Sequence, residues 1–194
     1  MIDVRSLTGE ELLARLDDVA RLRIEVFRAF PYLYDGNLEY ERSYMRAYRD
    51  SPRAVVVAAF AGGQVVGVAT GTPLSDHNGK FIEGFRASGY DPAEVFYCAE
   101  SVLLPEWRGH GVGHKFFDAR EAHARAHGFK YSAFCGVIRP ADHPARPADY
   151  RPLDAFWDKR GYRELPGVLA EFSWKDIGAL AEDVKALQFR IRPL

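Results

Sequence analysis

The chain is short of several things that would point to function. It has two cysteines, Cys98 and Cys135, in 194 residues, too few for a disulfide framework. Both fall in runs that read as strands, so buried structural thiols are expected, and the compartment is expected to be cytoplasmic. Charge of one sign is not in excess: 26 Lys and Arg face 27 Asp and Glu, which leaves no bulk field for nucleic acid or an anionic membrane. No apolar run approaches the ~20 residues that span a bilayer. The first residues, Met1-Ile2-Asp3-Val4-Arg5, lack the basic and apolar regions of a secretory leader. His123 and His127 stand four apart on a helix, yet no Glu lies between them in the H-E-x-x-H order and no Cys cluster is near. No metal site is expected.

What is present is one stretch with chemistry in it, Pro105-Glu106-Trp107-Arg108-Gly109-His110-Gly111-Val112-Gly113. A strand-like run from Val95 to Leu104 precedes it, and a helix from about His114 to His127, closed by Gly128, follows. A glycine-rich turn that opens a helix presents unpaired N–H groups in one direction, with the positive end of the helix dipole behind them. That arrangement suits a phosphate. The Gly-Lys-Ser/Thr ending of a Walker loop is absent, and glycines at 109, 111 and 113 miss the G-x-G-x-x-G order, so neither a Mg²⁺-nucleotide nor a Rossmann dinucleotide fits.

The rest of the chain reads as alternating elements. Ile2–Leu7 is a strand, and Thr8 with Glu11 forms a capping box for a helix running to about Arg28, ended by Pro31. Its apolar positions are Leu13, Leu16, Ala20, Ile24 and Phe27. A tyrosine-dense helix follows, about Leu38 to Tyr48, with Tyr40, Tyr44, Ala47 and Tyr48 on one face. Ala54–Phe60, the turn Gly62-Gly63 and Gln64–Thr70 make a hairpin. A long connection, 71–93, holds a short helix near Ile82–Ala87 and reads as a lid or as a surface insertion. The helix after the glycine turn carries Val112, Phe116, Ala119, Ala122 or His123, and Ala126 as its apolar stripe. Tyr131–Ile138 is a strand, 139–152 a proline-restricted loop, Leu153–Arg160 a helix, and Val168–Trp174 with Leu187–Ile191 a closing antiparallel pair. One domain, 1–194, is expected.

The central stretch resembles motif A of the GNAT superfamily of acyl-CoA-dependent N-acetyltransferases, written Arg/Gln-x-x-Gly-x-Gly/Ala. Arg108, Gly111 and Gly113 fill it, and Leu103-x-Pro105 stands where that family's strand ends in Val-x-Pro. Phe156-Trp157-x-x-x-Gly161-Tyr162 is similar to motif B, Phe-Tyr-x-x-x-Gly-Phe. The resemblance implies an α/β (α+β) fold, with a mixed, mostly antiparallel central sheet splayed between the fourth and fifth strands and helices on both faces. It implies acetyl-CoA as co-substrate, the pyrophosphate on the amides of Arg108, Gly109, His110, Gly111, Val112 and Gly113, and the thioester carbonyl on a backbone N–H from Val102, Leu103 or Leu104. The acceptor would be a primary amine of a small molecule or peptide, with no nucleic acid or membrane partner; a homodimer is left open.

For the base, the resemblance points to a carboxylate on the motif A strand, here Glu100, with His143 and Glu83 as alternatives. Acidic groups at Glu83, Asp91, Glu94, Asp35, Glu39 and Glu41 are expected to gather the cationic acceptor. The family's general acid is a motif B tyrosine, but Trp157 stands there without a transferable proton. Tyr150 is the candidate in its place, with Tyr97, Tyr162 and water open beside it. This departure also leaves a non-catalytic acyl-CoA-binding module of the same fold open.

Overall fold

The structure, a computed structural model, describes residues 1–77 and 79–194, apart from the side chains at 46, 47, 49 and 50. The face expected to include Ala47 therefore extends outside the described side chains. Among the described residues seven strands form one sheet: β1 (Ile2–Leu7), β2 (Val55–Ala61), β3 (Gln64–Pro73), β4 (Val95–Leu103), β5 (Tyr131–Val137), β6 (Arg163–Trp174) and β7 (Asp183–Pro193). Their order is β1-β2-β3-β4-β5-β7-β6, and only β4 with β5 is parallel. The expected architecture, mixed and mostly antiparallel, is what forms.

The helices are α1 (Gly9–Ala14), α2 (Leu16–Phe27), α3 (Leu38–Asp50), α4 (Phe81–Ala87), α5 (Val112–Ala126) and α6 (Asp154–Lys159). Helices α5 and α6 cover one face, where Phe116 and Phe117 pack with Phe96, Phe134 and Tyr162. Helices α1 to α3 cover the other face over β1–β4. There α4 joins them over β5–β7, its Phe81 and Phe85 stacking on Phe189 with ring centroids 5.2 and 4.9 Å apart. The 71–93 connection is thus tied into the core rather than laid over the surface.

The first helix differs from expectation. It breaks at Arg15 into α1 and α2, and the capping box does not form: Thr8 makes no side-chain cap. Arg5 takes the Glu11 carboxylate instead, at 2.5 and 2.7 Å. With Glu11 occupied and the axis bent, Leu13 is left exposed while Leu12, Val19, Leu22 and Phe27 are buried.

Two irregularities in β4 set the geometry around it. Opposite β3, Thr72 pairs with Tyr97 and Thr70 with Glu100, so three residues of β4 span two of β3, a β-bulge. On the other side, pairing with β5 covers only Val95↔Tyr131, Phe96↔Ser132 and Tyr97↔Ala133. From Cys98 onward β4 leaves β5, which instead pairs with β7 along its whole length. The sheet opens into a V at this point.

Candidate active site

The V begins where the glycine turn can reach it. A 3-10 turn over Pro105–Trp107 leaves β4, with the Trp107 amide donating to Leu104 O (3.0 Å) and the Arg108 amide to Pro105 O (3.1 Å). Gly109 and Gly111 then adopt φ of 79° and 76°, a region that favours glycine, and Gly111 is the N-cap of α5. Gly113 is already helical; its lack of a Cβ accommodates Phe156, whose ring edge would stand 3.4 Å from one. The first bond closing the helix runs from the Lys115 amide to Gly111 O, so the N–H groups of Val112, Gly113 and His114 have no intrahelical acceptor. Among the described residues the amides of Gly109, His110 and Gly111 also meet no acceptor.

Arg108 departs from expectation. Its amide is spent inside the turn, and its Nε donates to Leu103 O at 3.3 Å, so it folds the turn back on β4 rather than offering an N–H to an anion. His110 likewise turns its ring Nδ1 to the carbonyl oxygens of Arg108 (2.9 Å) and Trp107 (3.2 Å).

Of the three amides expected to face the thioester, two point elsewhere. Leu104 donates to Val66 O at 3.0 Å, and Val102, two residues earlier and paired with Val68, points the same way. Leu103 alternates with them, so its N–H turns from β3 into the V.

The bulge decides where Glu100 looks. Phe96 and Cys98 face α5, and an uninterrupted strand would carry Glu100 to that same side. The extra residue reverses the alternation, and Glu100 faces α2 and α3. There it pairs with Arg23, which also pairs with Glu41. Thr70 Oγ1 donates to Glu100 Oε2 at 3.4 Å and stands 3.3 Å from the Tyr48 hydroxyl. The Tyr44 ring lies 4.6 Å under the Arg23 guanidinium. Glu100 Oε1 takes no side chain among the described residues, and the Glu100 side chain keeps 16% of its surface exposed.

Tyr150 stands in the 139–152 loop, its ring edge-on to Phe30 at 4.7 Å and 5.0 Å from the Arg146 guanidinium. Burial raises its hydroxyl above the ordinary tyrosine range. The other tyrosines weighed as acids are committed inside the core. Tyr97 is 3.2 Å from Cys135 Sγ, and Tyr162 donates to Glu121 at 3.0 Å and stands 2.8 Å from Ser132. Trp157 packs on Phe134 (4.9 Å), its indole 3.2 Å from where a Cβ on Gly136 would stand.

The acidic mouth contracts to two residues. Glu83 pairs with Arg86, Glu94 with Lys130 and Asp35 with Lys175, while Asp91 caps its own turn; these are surface partnerships. Glu39 is exposed, and of the expected acidic groups Glu41 and Glu100 alone turn inward. His143 sits 5.7 Å from the Phe30 ring and accepts the Ala145 amide. Among the described residues no group of three His, Cys, Asp or Glu gathers as for a metal ion, and no helix is long and apolar enough to cross a membrane.

Arg23 and Arg120 were missed from sequence, although a signal existed. Arg23 lies four residues from both Val19 and Phe27, and Arg120 four from Phe116 and Ala124, all buried. A charge at a core position of an amphipathic helix is the mark of a specific internal contact. Reading charges as solvent-facing also shifted the α5 stripe: Val112, Phe116, Phe117, Arg120, Glu121 and Ala124 are buried, whereas Ala122 and Ala126 are exposed.

Comparison with known proteins follows the same geometry. A model of the acetyltransferase (GNAT) family matches residues 11–151. Over 82 residues the chain is 33% identical to a mycothiol acetyltransferase of Thermobifida fusca, covering 42% of this chain and 25% of that protein, so it spans a quarter of this curated relative. The ribosomal-protein-alanine N-acetyltransferase of Brucella melitensis superposes with a TM-score of 0.61 at 17% identity, covering 99% of both chains. YncA of Salmonella typhimurium, solved with its cofactor acetyl-CoA, gives 0.63 at 13% identity, covering 100% of this chain and 94% of that one. At such identities the structures speak for the fold alone, and the family match speaks for descent: the chain belongs to the acetyltransferase (GNAT) family.

Proposed function

We propose that the chain moves an acetyl group from acetyl-CoA directly to a primary amine of a small molecule or peptide. The observation that supports this reading is the V in the sheet, into which the Leu103 N–H turns, on the strand that carries Glu100 and leads into the open amides before α5. The amides of Gly109 to His114 would hold the pyrophosphate, and the Leu103 N–H would donate to the thioester oxygen as it gains charge. Glu100 would take the amine proton, directly or through water, at the oxygen that Arg23 leaves open. The nitrogen then bonds to the carbonyl carbon, the C–S bond breaks, and the thiolate takes a proton from Tyr150 or from water. The two free, buried cysteines fit a reducing compartment, and on that ground we assign the cytoplasm.

A panel of amines incubated with acetyl-CoA tests this: an alanine-terminated peptide, single amino acids and aliphatic diamines, with free thiol and acetylated product both measured. One panel amine should give equal amounts of both. Glu100→Gln should then lower kcat by about 10²-fold or more, the size of a lost general base, with CoA affinity unchanged. CoA binding without thiol release for any amine would favour the non-catalytic module, the reading to which Trp157 lends its weight.

A further inference from the structure

The bulge in β4 has a cost that the strand itself does not meet. Where three residues oppose two, ladder bonds are lost, and the carbonyl oxygens of Thr70 and Glu100 need another donor. Both accept from one atom, Arg120 Nη1, at 3.2 and 2.9 Å. Arg120 reaches them from the middle of α5, the helix that the glycine turn opens, and its Nε bonds Phe116 O at 3.2 Å.

Stability does not account for an arginine here. The residue is 1% exposed, and it has no ion-pair partner among the described residues; Phe117 lies under its guanidinium at 4.7 Å, and its Nη2 is buried with no acceptor. A buried charge without a carboxylate costs more than an apolar side chain on the same stripe. A fold that keeps it is holding a geometry that packing alone would not keep.

We infer that Arg120 is a positioning residue that holds the β4 bulge and thereby turns Glu100 to the acceptor face. Without the guanidinium, β4 can relax to a regular ladder with β3, and a one-residue slip carries Glu100 toward α5 and away from Arg23. Arg120 touches neither the anion turn nor the acceptor, so the loss should fall on turnover and leave CoA binding intact. The inference rests on Glu100 as the base.

The test compares Arg120→Met, Arg120→Lys, Glu100→Gln and the Arg120→Met/Glu100→Gln double variant with the parent chain. Each is measured for thermal melting, CoA binding by calorimetry, and kcat from pH 6 to 10 with the panel amine of highest turnover. Arg120→Met should melt cooperatively, bind CoA within about three-fold of the parent, and lose at least ten-fold in kcat. Its pH profile should flatten as that of Glu100→Gln does, the double variant should be no slower than Glu100→Gln, and Arg120→Lys should recover part of the rate. Full kcat with an unchanged pH profile in Arg120→Met overturns the inference, as do losses that multiply in the double variant. Should Arg120→Met not fold, Arg120→Lys decides: it keeps the charge but not the two-carbonyl reach, so an unaltered kcat and profile there overturn it equally. Full kcat in Glu100→Gln removes the base assignment and overturns the inference with it, whereas full kcat in Arg120→Met beside a slow Glu100→Gln overturns the inference alone.

Discussion

At the scale of single residues, charge in the interior separates what could be read from what could not. Glu100 could be singled out because it is the one carboxylate in a run otherwise made of apolar and small residues. Its partner was not, because Arg23 lies 77 positions away and nothing local marks the pair. The bulge that aims Glu100 was equally hidden, since it depends on how β3 and β4 register and not on either strand alone. Cys98 shows the reverse case. It is buried beside Ser132, 3.4 Å away, and burial raises its thiol above the ordinary cysteine range, so little thiolate exists to attack a thioester. Cys98→Ala should therefore retain most of the turnover, and intact-mass measurement after acetyl-CoA addition should find no acetylated Cys98. A stable adduct at that residue would replace direct transfer with a two-step route. Cys135, whose thiol is pushed up to about 12 by burial, is still less able to serve.

At the scale of elements, hydrophobic periodicity placed most of the strands and helices, and the errors cluster at their ends and in their phase. β3 continues to Pro73, beyond the expected Thr70, because β4 supplies partners as far as Phe96. β6 and β7 run longer than their apolar cores for the same reason, each offering the other a ladder. The turn before α5 was fully legible, since two left-handed glycines at a helix start leave few alternatives, yet the inward use of the Arg108 amide needed the 3-10 turn to be seen. Gly111→Asp bears on this element. Open space surrounds the position, so a side chain fits, but φ of 76° strains it and the carboxylate would face the unpaired amides. CoA affinity measured by calorimetry should fall at least ten-fold, which corresponds to about 1.4 kcal/mol. Unchanged affinity in a folded variant would remove the turn as the pyrophosphate site.

At the scale of the whole molecule, family and architecture were legible and the substrate was not. The order of elements and the motif spacing survive in the sequence. The acceptor, on the proposed reading, would be met by side chains from α2, α3, β4 and the 139–152 loop, which no contiguous segment brings together. A ligand that bridges the V should act on the entire fold, because it is bound only when both halves are in place. CoA at one hundred times its dissociation constant should add about 2.7 kcal/mol, which for a chain of this length raises the melting temperature by about 5–10 °C. Differential scanning fluorimetry measures this, and a shift of under a degree at saturation would mean that CoA does not engage the folded V.

The same opening gives this sheet inner borders as well as outer ones. Besides the outer rims of β1 and β6, the stretch of β4 after Tyr97 runs unpaired on its β5 side, although it lies in the middle of the strand order. Exposed strand borders are templates for foreign strands, and proteins usually blunt them with charges, prolines or covering helices. Here such a cover would close the gap proposed for the acetyl-CoA arm. On the proposed reading, the CoA-free protein should associate along this border and the CoA-bound protein should not, a difference that light scattering measures.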